Sequence, residues 1–166
     1  MHMLQPGKEV SSTILTVGLN IEEVKFGSMD VMAYDVGGRS NMRPLFRHYY
    51  STTNGLVYIL DISTRDSWYI ESQKDELQRL LSEQDLIGMP LLILGNKVDL
   101  PSAMSQEELE ELVNLKSIRR TRAVEVRRAS VLSHKLDAEP INSASKWLKT
   151  HMNHPSRKPA LAAPSS

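Results

Sequence analysis

The sequence predicts an α/β fold, in which helices flank a sheet with parallel strands, and three features support this. Two short aliphatic runs, at 55–61 and 91–95, have the composition of strands that are buried on both faces. The first run is followed by an amphipathic helical pattern, as a strand–helix–strand unit requires. The second run ends in the polar stretch NKVDL, at the strand end where open α/β sheets bind ligands.

Composition and charge are those of a one-domain globular protein of 166 residues. Equal numbers of basic and acidic residues, 20 of each, argue against a nucleic-acid partner. The lack of cysteine excludes disulfides and cysteine-ligated metal sites, and favours a cytoplasmic location. Residue 2 is not glycine and the last residues lack cysteine, so we expect no lipid anchor in this chain and any membrane recruitment through partners.

The first third of the chain predicts a leader followed by a β-hairpin. Residues 1–12 show no hydrophobic period and are predicted to be a leader. Apolar residues alternate imperfectly over 16–26, a turn is expected over 26–30, and a second strand runs back over 31–34. That strand ends in DVGG at 35–38, where a carboxylate precedes glycines that allow close approach, as a site for Mg²⁺ and phosphate needs.

The later elements are predicted from apolar spacing and from helix end signals. A short helix is expected around 44–49 and a long amphipathic helix over 67–86. Ser105 and Glu108 have the spacing of a capping box, which predicts a helix from there through Val113. The remaining predictions are a strand over 123–126, a helix entered at Pro140 and a disordered tail over 153–166.

Four stretches form a set in the order TVGLN at 16–20, DVGG at 35–38, MRPLFRHYY at 42–50 and NKVDLPSAM at 96–104. Together they resemble the first switch, the phosphate-sensing motif, the second switch and the guanine-recognition stretch of the Arf and Arf-like branch of the Ras-type small GTPases. The resemblance runs from about residue 10 to about residue 149. It implies a Ras-type sheet flanked by helices, and a guanine-nucleotide-dependent switch associated with vesicle and membrane traffic.

The resemblance also implies how Mg²⁺ and phosphate would be held. Thr16 would ligate the ion, Asp35 would hold it through water, and the Gly38 amide would meet the γ-phosphate. Arg39 stands where the family usually has a glutamine that orients the attacking water. Because a guanidinium has no acceptor, no catalytic residue is assigned and hydrolysis is expected to be slow.

For the guanine base, the resemblance implies four contacts. Asp99 would accept the N1 and N2 donors, Asn96 would contact the base edge, and the Lys97 stem would cover the ring. The Ala129 amide would donate to the guanine oxygen. GTP or GDP, with Mg²⁺, is therefore the cofactor that the family pattern implies.

Effector proteins are the partners implied by the same resemblance, bound through the switch regions of a monomer. Leu19, Tyr34 and Tyr49 occupy the positions of the family's effector-facing hydrophobic residues.

One part of the family pattern has no match in the sequence. The motif G-x-x-x-x-G-K-[ST], the P-loop, precedes the first switch in this fold, and none of the 15 residues before Thr16 provides it. We therefore expect a domain over 13–152 that lacks the first strand, the P-loop and the first helix, and that binds nucleotide weakly or not at all. The absence is expected to leave the strands at 29–35 and 55–61 with open edges, or paired directly. The alternative function is a nucleotide-independent pseudoGTPase that binds proteins.

Two other features are interpreted as structural. The basic residues between Lys116 and Arg128 are expected to form a solvated surface, because acidic residues lie within and before them. Trp68 and Trp147 lie at helical spacing and are expected to be core or interface anchors.

Overall fold

The computed structural model describes residues 19–36, 43–130 and 139–152, and it confirms the predicted α/β class. None of the helices in these ranges combines the length and the apolar character needed to cross a bilayer. In chain order the elements are β1 (Leu19–Phe26), β2 (Met29–Val36), α1 (Arg43–Tyr50), β3 (Leu56–Asp61), α2 (Ser67–Ser82), β4 (Leu91–Asn96), α3 (Gln106–Leu112), α4 (Leu115–Ile118), β5 (Val124–Arg128) and α5 (Glu139–Met152), with a short 3₁₀ turn at Gln84–Leu86.

A parallel sheet of three strands, in the order β3-β4-β5, forms the centre of the fold. Its middle strand is buried from Leu91 to Gly95, as the aliphatic run predicts. The register pairs Asp61 with Asn96 and Gly95 with Arg128. The carboxyl ends of all three strands therefore meet at one edge of the sheet.

The hairpin is tighter than the sequence pattern predicts. The turn contains only Gly27 and Ser28, and Phe26 pairs with Met29 at the ends of the strands. Gly27 has a φ of +59°, and a Cβ atom there would lie 1.9 Å from the Ser145 hydroxyl oxygen in α5. Glycine is needed both for the backbone conformation and for this close approach.

Two hydrophobic clusters lie on opposite faces of the parallel sheet. One packs the sheet against α2, α3 and α4, and its fully buried members include Leu91, Ile93 and Leu109. The other contains hairpin residues, sheet residues and α5 residues, namely Phe26, Met29, Leu92, Leu94, Ala144 and Leu148. The helix α5 therefore packs the β1–β2 hairpin against the parallel sheet.

The hairpin and the parallel sheet are separate sheets among the described strands. Of the two arrangements expected from the sequence, direct pairing of β2 with β3 is not found, and no described strand pairs with the outer edge of β3. Val57 and Ile59 of β3 remain 39% and 38% exposed, although their sheet partners Leu92 and Leu94 are buried. These two exposed side chains lie on β3, which is an edge strand of the sheet among the described strands.

Arg122 corrects the interpretation of the basic run. Its side chain is buried, and its two terminal nitrogens donate to the carbonyls of Leu86 and Leu81 at 3.1 and 3.0 Å. Burial lowers the pKa of this guanidinium below its ordinary value. The residue therefore ties the end of α2 to the turn before β5.

The two tryptophans also differ from each other. Trp68 is 77% exposed near the start of α2, so it is not a core residue. Trp147 is partly buried and stacks on His151, with ring centroids 4.3 Å apart. Helical spacing alone did not separate these two environments.

Candidate functional site

The candidate site lies at the carboxyl edge of the parallel sheet, where the NKVDL stretch leaves β4. Asp61 ends β3, Asn96 ends β4 and Arg128 ends β5, so three polar residues stand side by side. This is the edge at which open α/β sheets bind ligands. Of the residues predicted to recognise the base, Asn96 therefore lies at this edge, at the end of β4.

Lys97 adopts an unusual backbone conformation and makes a specific ion pair. Its φ is +71°, in the left-handed region that non-glycine residues seldom occupy. Its Nζ lies 2.6 Å from Asp61 Oδ2. Ser63 donates to the other oxygen of Asp61, from its amide at 2.9 Å and from its hydroxyl at 2.6 Å.

The charge state of Asp61 follows from these contacts. Partial burial alone would raise the pKa of its carboxyl, but the hydrogen bonds from Lys97 and Ser63 outweigh that effect and hold the pKa below its ordinary value. Asp61 is therefore an anion fixed beside Lys97. Asp61 was not among the residues predicted from the sequence, although a carboxylate at the end of a buried strand is a signal of the same kind as Asp35.

Asp99 is placed differently from Lys97. It is exposed, and among the described residues it makes no hydrogen bond or ion pair. The loop around it is fixed by its backbone, because the Leu100 amide donates to the Lys97 carbonyl at 3.1 Å and the Val98 amide to the Ala129 carbonyl at 3.3 Å. Within the described part of the chain, both carboxylate oxygens of Asp99 are thus available to accept donors from a ligand.

Asn96 and Ala129 complete the predicted set, with one unexpected hydrogen bond. Asn96 is partly buried, and its carbonyl accepts from the Ile62 amide at 3.1 Å. The Ala129 amide donates to the Gly95 carbonyl at 2.8 Å. A guanine oxygen would have to compete with that carbonyl, so the role predicted for Ala129 remains a prediction.

Several contacts join the loop after β3 to the loop after β4. The Met104 amide donates to the Ile62 carbonyl at 2.9 Å, and the Ser102 hydroxyl to the Ser63 carbonyl at 2.7 Å. Arg65 binds Glu108 through two hydrogen bonds of 2.6 and 3.1 Å. The two loops therefore form one rigid wall of the site.

The predicted capping box at the start of α3 is confirmed. The Glu108 amide donates to the Ser105 hydroxyl at 3.1 Å, and the Ser105 amide donates to the Glu108 carboxylate at 2.7 Å. Arg65 and this amide together lower the pKa of Glu108 from 4.5 to about 2.

The residues predicted to face effectors lie on the hairpin and on α1. The rings of Tyr34 and Tyr49 are in contact, with centroids 5.0 Å apart. Leu19 lies opposite Val36, and Tyr34 lies opposite Ile21, so the four share one face of the hairpin. Ile21, Met32 and Val36 on this face are 47%, 55% and 41% exposed. We call these residues with Leu19, Tyr34 and Tyr49 the hairpin face.

The predicted Mg²⁺ and phosphate residues are only partly described. Asp35 lies near the end of β2, opposite Asn20, whereas Thr16, Gly38 and Arg39 lie outside the described residues. Within the described ranges, no group of three His, Asp or Glu side chains forms a metal site. The described part fits the base of a guanine nucleotide, since it offers the free carboxylate of Asp99 and an oriented Lys97.

Comparison with known proteins gives two findings. The model of the ADP-ribosylation factor family matches residues 1–152. Among solved structures, the fold is similar to that of the Arl6 (BBS3) small GTPase from Trypanosoma brucei with bound nucleotide analogue GppNp. The TM-score is 0.71 at 24% identity, over 87% of this chain and 85% of that one. This likeness confirms the predicted Ras-type fold class.

Proposed function

The chain belongs to the ADP-ribosylation factor family, and from this premise we propose that it is a guanine-nucleotide-dependent switch protein of membrane traffic whose nucleotide binding and hydrolysis are impaired. The observation that supports guanine as the ligand is the arrangement after β4. The carboxylate of Asp99 has no partner among the described residues, while Lys97 is held by Asp61 at the same edge. A carboxylate that accepts two donors from one base edge distinguishes guanine from adenine.

The impairment is argued from the phosphate half of the ligand. The 166 residues contain no G-x-x-x-x-G-K-[ST] motif. A P-loop supplies about half a dozen hydrogen bonds to charged phosphates, each worth roughly 1.5–3 kcal/mol. Because about 1.4 kcal/mol corresponds to tenfold in affinity, a protein of these residues should bind several decades more weakly than one with the loop.

One residue of the sequence and one hydrogen bond of the site also support impaired nucleotide binding and hydrolysis. Arg39 replaces the glutamine that orients water, so slow hydrolysis is proposed even where nucleotide binds. The Ala129 amide is engaged by the Gly95 carbonyl at 2.8 Å, which weakens its capacity to bind guanine.

We propose effector proteins as partners of this chain, bound at the hairpin face. Its exposed apolar side chains, including Met32 at 55%, offer a surface that a partner can cover. Mg²⁺ would accompany the nucleotide through Thr16 and Asp35. A monomer in the cytoplasm, recruited to membranes by its partners, completes the proposal.

The hairpin face also favours a second candidate function. The rings of Tyr34 and Tyr49 are in contact there, and none of the residues of this face is among the predicted nucleotide-binding residues. A nucleotide-independent pseudoGTPase, which binds proteins through this face, would need no more than that.

The test is a titration of the purified chain with fluorescent GDP and GTP in Mg²⁺, with thermal melts in parallel. We expect saturable binding weaker than about micromolar, and a loss of about 100-fold or more in Asp99→Asn, which removes two charge-assisted hydrogen bonds. Asp85→Asn is the matched control, since Asp85 is an exposed carboxylate on the turn before β4, at the other edge of the sheet.

The outcomes separate the candidates. A melt that is cooperative but unmoved by nucleotide would favour the protein-binding module. Binding at micromolar affinity or tighter, sensitive to Asp99→Asn, would contradict the proposed impairment and leave an ordinary switch.

A further inference from the structure

We propose that Asp61 is a positioning residue of the guanine site, which fixes the Lys97 side chain so that its stem lies where the base ring will rest. This inference rests on the proposed function, because it assigns a role within the same site. Asp61 itself would touch Lys97 and not the nucleotide.

The geometry gives Lys97 one preferred direction. The left-handed backbone, with a φ of +71°, sets where the side chain leaves the loop. The ion pair to Asp61 at 2.6 Å then fixes the far end of the side chain at the end of β3. With both ends defined, the four methylene groups between them form a fixed apolar strip.

Asp61 is in turn held in place. Two hydrogen bonds from Ser63 fix one carboxylate oxygen of Asp61, and the other oxygen pairs with Lys97. The side chains of Asp61 and Lys97 are 26% and 43% exposed, so solvent screens this pair less than a fully exposed one. Ser63, Asp61 and Lys97 thus form a short chain of contacts, which we call the lysine brace.

The wall of the site does not depend on the lysine brace. The loops after β3 and β4 are already joined by the bond from the Met104 amide, by Ser102 and by the pair of Arg65 with Glu108. The ion pair between Asp61 and Lys97 therefore adds little to the order of the loop backbone. Its distinct effect is to keep a long, flexible side chain in one rotamer before the ligand arrives.

The first measurement is affinity for GDP and IDP in the wild-type chain and in Asp61→Asn. We expect Asp61→Asn to bind both nucleotides about 3- to 10-fold more weakly, the cost of ordering one long side chain. The ratio of GDP to IDP affinity should stay constant, because the lysine stem covers the ring and does not contact the 2-amino group that IDP lacks. Glu71→Gln is the matched control, because it makes the same carboxylate-to-amide change at the partner of another lysine, Lys74 in α2.

Ser63 provides a graded test of the same chain of contacts. Ser63→Ala should weaken binding in the same direction as Asp61→Asn, and Ser63→Thr should restore it, because threonine keeps the hydroxyl. Unchanged affinity in Asp61→Asn, or an equal loss in Glu71→Gln, would overturn the proposal.

The second measurement needs no nucleotide. Lysine acylation followed by mass spectrometry should label Lys97 more slowly than Lys74, a residue of similar exposure whose pair to Glu71 is longer, at 3.4 Å. In Asp61→Asn the Lys97 rate should rise by about 3- to 10-fold while the Lys74 rate stays constant.

The two measurements distinguish the two proposals. If the wild-type chain binds no guanine nucleotide, the proposed function fails. In that case the Lys97 acylation rates of the wild type and Asp61→Asn alone test whether the lysine brace exists. Equal Lys97 labelling in the wild type and in Asp61→Asn would refute the brace whether or not nucleotide binds.

Discussion

At the scale of single residues, Lys97 combines an unfavourable backbone conformation with a specific contact. A φ of +71° costs a residue with a Cβ atom roughly 1–2 kcal/mol, whereas glycine adopts it freely. Such strain is typical of functional positions, where another residue would be more stable. The lysine is therefore better explained by its contacts than by the turn that it occupies.

We predict that Lys97→Gly is more stable than Lys97→Ala by about 1 kcal/mol, because only glycine relieves the left-handed backbone. Both variants lose the contact with Asp61, so their difference isolates the backbone term. Urea denaturation measures it. Equal stability of the two variants would mean that the loop relaxes away from the positive φ.

Sequence reasoning located some of these residues and not others, for a physical reason. Asn96, Lys97 and Asp99 are recognisable because their spacing in one loop is itself the signal. Asp61 lies more than 30 positions earlier, and only the register of β3 on β4 places it beside Lys97. Arg122 was misjudged for the same reason, since its partners at Leu81 and Leu86 are distant in sequence.

At the scale of secondary-structure elements, the start of α3 was predictable because the capping box is local. Ser105 and Glu108 lie within one turn and satisfy each other's backbone groups. By contrast, α4 spans only Leu115–Ile118, which is too short to show a helical period. The added role of Glu108, as partner of Arg65, was visible only in the structure.

The capping residue should also make the protein sensitive to acid. The folded-state pKa of Glu108 is about 2, below its ordinary 4.5, so its carboxylate stabilises the fold fully above pH 4.5 and loses that effect as the pH falls through about 2. Glu108→Gln keeps a capping box but cannot titrate. We predict that its melting temperature falls less than that of the wild type between about pH 5 and about pH 2.5.

Thermal melts across this range check the prediction. Glu111→Gln, an exposed residue of the same helix, is the control for general loss of negative charge. Parallel pH profiles of the wild type and Glu108→Gln would contradict the prediction, because they would mean that Arg65 and the Ser105 amide do not hold the pKa of this carboxylate below its ordinary value.

At the scale of the whole molecule, the described strands form two sheets that depend on one helix. Phe26 and Met29 of the hairpin reach the parallel sheet through a cluster that Ala144 and Leu148 of α5 complete. Gly27 permits the approach, with only 1.9 Å between its virtual Cβ and the Ser145 hydroxyl oxygen. The hairpin was predictable from local alternation, but its separation from β3 was one of two arrangements that the sequence left open.

We predict that Gly27→Ala destabilises the protein by about 2–4 kcal/mol, the sum of a strained φ and an overlap with Ser145. Combining Gly27→Ala with Ser145→Gly should remove the overlap with the Ser145 side chain and restore that part of the stability. The strain of the positive φ should remain. Hydrogen exchange should accelerate in β1 and β2, while the amides of β4 remain protected. Uniform acceleration in both sheets would show that they unfold as one unit.

The position of α5 at the end of the described chain has a consequence for synthesis. A ribosome adds roughly 5–20 residues each second, and α5 begins about a hundred residues after β2 ends. The hairpin therefore emerges on the order of 5–20 seconds before the helix that covers Phe26 and Met29. During that interval the apolar inner face of the hairpin lacks the cover that Ala144 and Leu148 of α5 provide, and that cover is complete only after the strands of the parallel sheet have already been made.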